Sequence, residues 1–193
     1  MILDEDITIT SSLVSPLAPA WDSVWNLNGH NISFVKETPR DTDCVAMMRY
    51  SSVLEVNGEG EVYTPNTYGL WASGTNAKIV VNSGKFTANT HVLYCEQGTI
   101  EVNGGEFHMA NDDAAKDDNG NYRFLLNCLD KNYNNGTAKI IVKGGKFYDF
   151  DPANCAAEGV GTNFVAEGYE SVMTTETIDG VEHKVYEVKP ING

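Results

Sequence analysis

The sequence predicts an all-β chain wound as a right-handed parallel β-helix, a solenoid closed by a C-terminal β-hairpin cap. Three observations predict it: a phrase that recurs along the chain, strict alternation inside each copy, and no long stretch with helical periodicity. The phrase is an aliphatic alternation, then Asn-Gly or Gly-Gly, then an aromatic. It reads Leu54-Glu55-Val56-Asn57-Gly58, Ile79-Val80-Val81-Asn82-Ser83-Gly84-Lys85-Phe86, Ile100-Glu101-Val102-Asn103-Gly104-Gly105-Glu106-Phe107 and Ile140-Ile141-Val142-Lys143-Gly144-Gly145-Lys146-Phe147. The equivalent valines, 56, 81, 102 and 142, lie 25, 21 and 40 residues apart, the last step being one repeat plus an inserted loop. Trp25-Asn26-Leu27-Asn28-Gly29 is a weaker earlier copy.

Period-two alternation makes each phrase a short strand with its Ile and Val residues on one side. A unit of ~20 to 25 residues cannot bury that apolar side alone, but it can by stacking on a copy of itself. Glycine follows each strand where the backbone needs positive φ.

Residues 1–23 fit the repeat poorly; with Pro16, Pro19 and Trp21 they are expected to form an N-terminal cap or an anchor. The β-helix is expected over 24–150. In each coil a second strand follows the Gly-x-Phe corner and a third follows a short loop. The third strands read Met47-Met48-Arg49-Tyr50, Gly69-Leu70-Trp71-Ala72, Val92-Leu93-Tyr94-Cys95 and Leu125-Leu126-Asn127-Cys128. The inserted loop spans 111–122. Residues 151–193 are expected to be a capping module, whose Asp179-Gly180 between two alternating runs is a hairpin signal.

Superposing the coils gives ladders. Phe86, Phe107 and Phe147 stack inward, preceded by Val62. Asn57, Asn82 and Asn103 stack at the corner, where amides can bond from coil to coil, and Lys143 breaks that row. Outward, Glu61, Lys85, Glu106 and Lys146 alternate in sign, which favours neighbours ~5 Å apart. Cys95 and Cys128 fall on one inward row after Ala72. No metal-type Cys-x-x-Cys spacing occurs among Cys44, Cys95, Cys128 and Cys155, so packed, reduced thiols are expected.

The net charge of −14 disfavours nucleic acid and anionic membranes as partners. No apolar run approaches the ~18 residues of a membrane span. The start, Met1 to Asp6, is acidic where a signal peptide is basic, so secretion by that route is not expected from it. In the inserted loop Asp117, Asn119 and Asn121 alternate as in a calcium loop. The Gly and Glu such a loop requires at its sixth and twelfth positions are missing, so no metal or cofactor is expected.

On these residues the chain resembles the pectate-lyase-like superfamily of right-handed parallel β-helices over about 24–150. The tail Gly144-Gly145-Lys146-Phe147-Tyr148-Asp149-Phe150-Asp151-Pro152-Ala153-Asn154, with Asn163-Phe164-Val165-Ala166-Glu167-Gly168-Tyr169, is similar to a closing module of proteins from gut bacteria and their phages, including virion fibre and decoration proteins. The first resemblance implies that an enzyme of this fold would gather several acids and a cation on one face. Here Glu55 and Glu101 project from the first strands, but Val80 and Ile141 interrupt them. Asp149 and Asp151, before Pro152, read as turn residues that cap backbone amides. His30, His91, His108 and His183 read as surface or turn residues, and no catalytic residue is assigned.

The outward row of the third strands, Arg49, Trp71, Tyr94 and Asn127, is the candidate binding platform for a sugar or a protein. Val80 and Ile141 are the candidate oligomer contact. The function expected is a non-enzymatic structural virion protein, a head fibre or capsid decoration protein. It would be a homotrimer located in the virion beside other virion proteins, with a glycan as possible ligand. The alternative is a carbohydrate-active β-helix lyase or hydrolase, or an adhesin at the bacterial surface or secreted. Oligomeric state and sugar turnover separate the two.

Overall fold

The structure is a computed structural model that describes residues 1–110, 115–117 and 120–191. In chain order the strands are β1 (Ile7–Ile9), β2 (Ser23–Asn26), β3 (Ile32–Phe34), β4 (Cys44–Met48), β5 (Val53–Asn57), β6 (Glu61–Thr64), β7 (Tyr68–Val81) and β8 (Lys85–Ala88). They continue with β9 (His91–Val102), β10 (Glu106–Met109), β11 (Phe124–Cys128), β12 (Ala138–Val142), β13 (Gly145–Tyr148), β14 (Tyr169–Ile178) and β15 (Val181–Pro190). The one helix among the described residues is short, α1 (Asp130–Asn134). The fold is all-β.

The strands form two sheets. The first has the order β1-β3-β6-β8-β10-β13-β15-β14, and the second runs β11-β9-β7-β5-β2, with β12 also on β9 and β4 also on β7. Pairing is parallel throughout the second sheet and from β1 to β13 in the first. The main apolar core draws on both sheets, and a smaller cluster gathers Cys44, Met47, Tyr68 and Trp71 on the second sheet.

The inward rows explain the register. Val62 pairs with Phe86, Phe86 with Phe107, and Phe107 with Phe147. The rings stack at centroid distances of 5.4 Å and 4.8 Å, within 13° and 10° of parallel. A slip of one residue would turn all three outward, and burying one such ring is worth ~1.5 to 3 kcal/mol. Met48, Ala72, Cys95 and Cys128 form a second inward row, with all four side chains buried and the thiols unbridged.

At the corner Asn82 donates to Asn57 Oδ1 and Asn103 donates to Asn82 Oδ1, both at 2.9 Å. Lys143 ends this row and instead reaches Glu101 at 3.0 Å. The outward row Glu61, Lys85, Glu106, Lys146 is in register. Lys85 lies 3.6 Å from Glu61, but Glu106 turns to His108 at 2.5 Å and Lys146 to Glu176 at 3.6 Å.

Two features depart from the sequence reading. First, β7 and β9 each join a third strand to the first strand of the following repeat. The chain bends without breaking, with register shifts between Ala72 and Ser73 and between Ser73 and Lys78. Gly74 and Gly98 permit this: a Cβ on Gly74 would strike the backbone of Tyr50, and one on Gly98 the Ala77 carbonyl. Second, the earliest copy is offset by two residues. Trp25 and Asn26, rather than Leu27 and Asn28, pair with Val56 and Asn57. Leu27 is fully buried, with a methyl against the space beside Gly84. Residues 1–23 pack on the first repeat: β1 pairs with β3, Ile2 bridges Asn26 and Leu3 is buried.

The C-terminal hairpin turns at Asp179 and Gly180, both with positive φ, and β15 lies antiparallel on β13. Asp149 accepts the Lys184 amide at 2.9 Å and Asp151 the Ala153 amide at 3.0 Å. Among the described residues, no helix is long and apolar enough to cross a membrane.

Candidate functional site

The outward row of the second sheet runs Met47, Trp71, Tyr94, Asn127. Arg49 is absent from it. β4 ends at Met48, and Arg49 enters the turn at Tyr50, whose φ is +61°. Its guanidinium Nε folds back to within 3.3 Å of Met47 Sδ. Trp71 belongs to the row but offers no free face. It is 8% exposed, packed with Cys44, Met47, Tyr68 and Tyr94, and its indole N–H donates to Glu96 at 3.1 Å.

Tyr94 and Asn127 do meet, in a cleft of about 660 Å³ on this face. Tyr68, His91, Tyr122 and Phe124 continue its aromatic wall, and the turn carrying Glu158 closes the other side. The wall follows from register: Phe124 pairs with His91, and Asn127 with Tyr94. His91 stacks on Tyr94 at 5.2 Å, Tyr68 stands edge-on to His91 at 5.2 Å, and Tyr122 stacks on Phe124 at 6.4 Å.

Loop residues hold the walls. Thr90 Oγ1 donates to Asp117 Oδ2 at 2.6 Å, Asp117 Oδ1 accepts the Asn121 amide at 2.9 Å, and Asn121 also bonds Asp41. The opposite turn is pinned by a bridge between Cys155 and Thr162, whose hydroxyl accepts the Glu158 amide at 3.1 Å.

Glu158 is the distinctive group. Its Oε1 accepts the Cys128 amide at 2.5 Å, while Oε2 is buried without a partner. Burial pushes its carboxyl up to about 7, helped by the Asp130 charge and opposed by the Cys128 amide. Asn127 is satisfied when its Nδ2 donates to Glu158 Oε1 at 3.2 Å and Ala157 O at 3.3 Å while Oδ1 accepts from His91 Nε2 at 3.1 Å. Burial lowers His91 to about 4, so the ring is neutral near pH 7. Burial likewise raises both Tyr68 and Tyr94.

His91 therefore departs from its reading as a surface or turn residue: it is 5% exposed and forms part of the wall. Sequence reasoning also missed Tyr68, Tyr122, Phe124 and Glu158. The register extended to these strands would have found Tyr68 and Phe124. Glu158 gives no such signal, because its partner Cys128 is 30 residues away.

The candidate oligomer contact is not one apolar patch. Val80 pairs with Glu101, which pairs in turn with Ile141, and Val80 pairs with Glu55 on its other side. Glu101 is held by Lys78 at 3.2 Å and Lys143 at 3.0 Å, and the Lys143 hydrogen bond pulls its carboxyl below the usual range. No cluster of three or more His, Cys, Asp or Glu suited to a metal occurs among the described residues, and Asn119 lies outside them.

No family model, curated protein or solved structure matches the chain.

Proposed function

We propose that the chain is a right-handed parallel β-helix acting as a non-enzymatic glycan-binding module. Its setting would be a phage virion, as a head fibre or capsid decoration protein. The aromatic cleft at Tyr94 carries the binding part of this reading. Rings set on rigid strands offer sugar-stacking faces at low entropy cost, and the polar groups of Asn127 and Glu158 at the rim supply orientation. The helix reading is supported by parallel registers in both sheets, with consecutive repeats as neighbours. The virion setting rests on the likeness of the tail from Gly144 to Tyr169. The proposed homotrimer would bury Val80 and Ile141 together with the Glu101 ion pairs between them.

A glycan array probed with the wild-type chain and with Tyr94→Ala tests the binding. Saturable binding lost in the variant is expected, and wild-type binding to no glycan would sink the reading. Light scattering tests the assembly, where a mass near three times 21.1 kDa is expected and a clean monomer rejects the trimer.

One observation favours a second reading, a carbohydrate-active enzyme. Glu158 is a carboxyl poised near neutrality in an aromatic cleft, as a general acid requires. Release of reducing or unsaturated ends from a bound polysaccharide would select it.

A further inference from the structure

We propose that the Tyr94 cleft takes a positively charged organic group, so that the saccharide it binds is an amino sugar with a free ammonium. This rests on the carbohydrate reading above and narrows it to one class of glycan.

The walls combine two features that suit an ammonium. The rings of Tyr68, Tyr94, Tyr122 and Phe124 line the space. A cation over such a face gains ~0.5 to 2 kcal/mol from the ring quadrupole. Among the described residues of the lining, the charged side chains are the carboxylates Glu158 and Asp130. His91, the remaining basic side chain of the wall, is buried and neutral near pH 7. Tyr122 already attracts one ammonium, since Lys116 Nζ sits 4.3 Å from its ring centroid.

The unpartnered Glu158 Oε2 adds a reason. A buried acceptor without a donor costs ~1 to 3 kcal/mol. That oxygen is shielded from solvent, so an ammonium in the cleft compensates its charge through space, which a neutral sugar hydroxyl cannot do. A uronate or sialic acid would instead meet two carboxylates in a chain of net charge −14. The groups around Glu158 on the adjoining elements are Asp130, Tyr94, Tyr133, Cys95, Cys128 and Cys155. Asp130 is the only one of these that is a carboxylate. Affinity for a permanent cation therefore follows the ionisation of Glu158.

Calorimetry on the full chain tests this with four probes: a glucosamine oligomer, its N-acetylated counterpart, a galacturonate oligomer and tetramethylammonium. The glucosamine oligomer should bind roughly tenfold more tightly than the acetylated one. The galacturonate oligomer should show no binding. Tetramethylammonium should compete with the glucosamine oligomer and, being charged at every pH, should itself bind more tightly at about pH 8 than at about pH 6. At about pH 8 Glu158→Gln should weaken tetramethylammonium roughly tenfold and leave the acetylated oligomer unchanged. Tyr122→Ala, at a residue 60% exposed, checks the ring contribution without touching the core. Equal or tighter binding of the acetylated or galacturonate oligomer would overturn the amino-sugar inference while leaving glycan binding intact. Failure of every sugar to bind, here and on the array, would overturn both.

Discussion

Asn82 donates its side-chain amide to Asn57 Oδ1 at 2.9 Å, so two residues 25 positions apart share one rung of a ladder. Asn103 adds the next rung by donating to Asn82. Asn82 therefore takes part in two rungs and Asn103 in one. Replacing Asn82 by Ala should cost ~1 to 2 kcal/mol and Asn103→Ala about half as much. Urea midpoints at constant slope measure the difference, and equal losses would show that the rungs do not contribute additively.

The Phe stack should be more sensitive. Phe107 lies between Phe86 and Phe147 and has no exposed surface. Phe107→Ala should cost ~3 to 5 kcal/mol, and Phe107→Leu considerably less because it leaves a smaller cavity. Chemical denaturation of both variants checks the order.

A buried ion pair gives a third test. Lys36 Nζ lies 2.8 Å from Asp43 Oδ2, and Asp43 is fully buried. Asp43→Ala strands the lysine charge and should cost ~3 to 5 kcal/mol. Pairing Lys36→Met with Asp43→Leu should recover most of that loss. If the double variant is no more stable than Asp43→Ala, the pair contributes through its geometry rather than by mutual neutralisation.

The cleft should leave a signature in stability against pH. Glu158 rises from 4.5 to about 7 on folding, so the native state holds the extra proton and this contribution is lost as pH rises through about 7. His91 falls from 6.5 to about 4, so its contribution is present above 6.5 and lost as pH falls towards about 4. Between 4.5 and 6.5 the two slopes oppose each other. Glu158→Gln should unmask a rise in stability with pH across that interval. Melting temperatures over the range check it, and an unchanged profile would show that Glu158 titrates normally.

The repeats were legible because each carries its own phase marker. Phe86, Phe107 and Phe147 follow glycine at the same offset, and the signs of Glu61, Lys85, Glu106 and Lys146 agree with the register that the rings impose. The row through Trp71 was harder to read at its first member. Met47-Met48-Arg49-Tyr50 holds three long side chains that fit, and only the positive φ of Tyr50, invisible in composition, ends the strand before Arg49. The earliest copy misled for a related reason. Asn28-Gly29 has the spelling of a corner, whereas Asn26 occupies it. The acid of the cleft lay beyond reach altogether, because a turn outside the repeats places Glu158 against the Cys128 amide.

The reversal at β15 gives the molecule a polarity. Every strand from β1 to β13 in the first sheet runs the same way, β15 runs against them, and β14, antiparallel to β15, returns to the common direction. The stack is therefore finished on that side by a hairpin rather than by another coil, and the hairpin's backbone takes up the β13 edge that a further parallel repeat would have used.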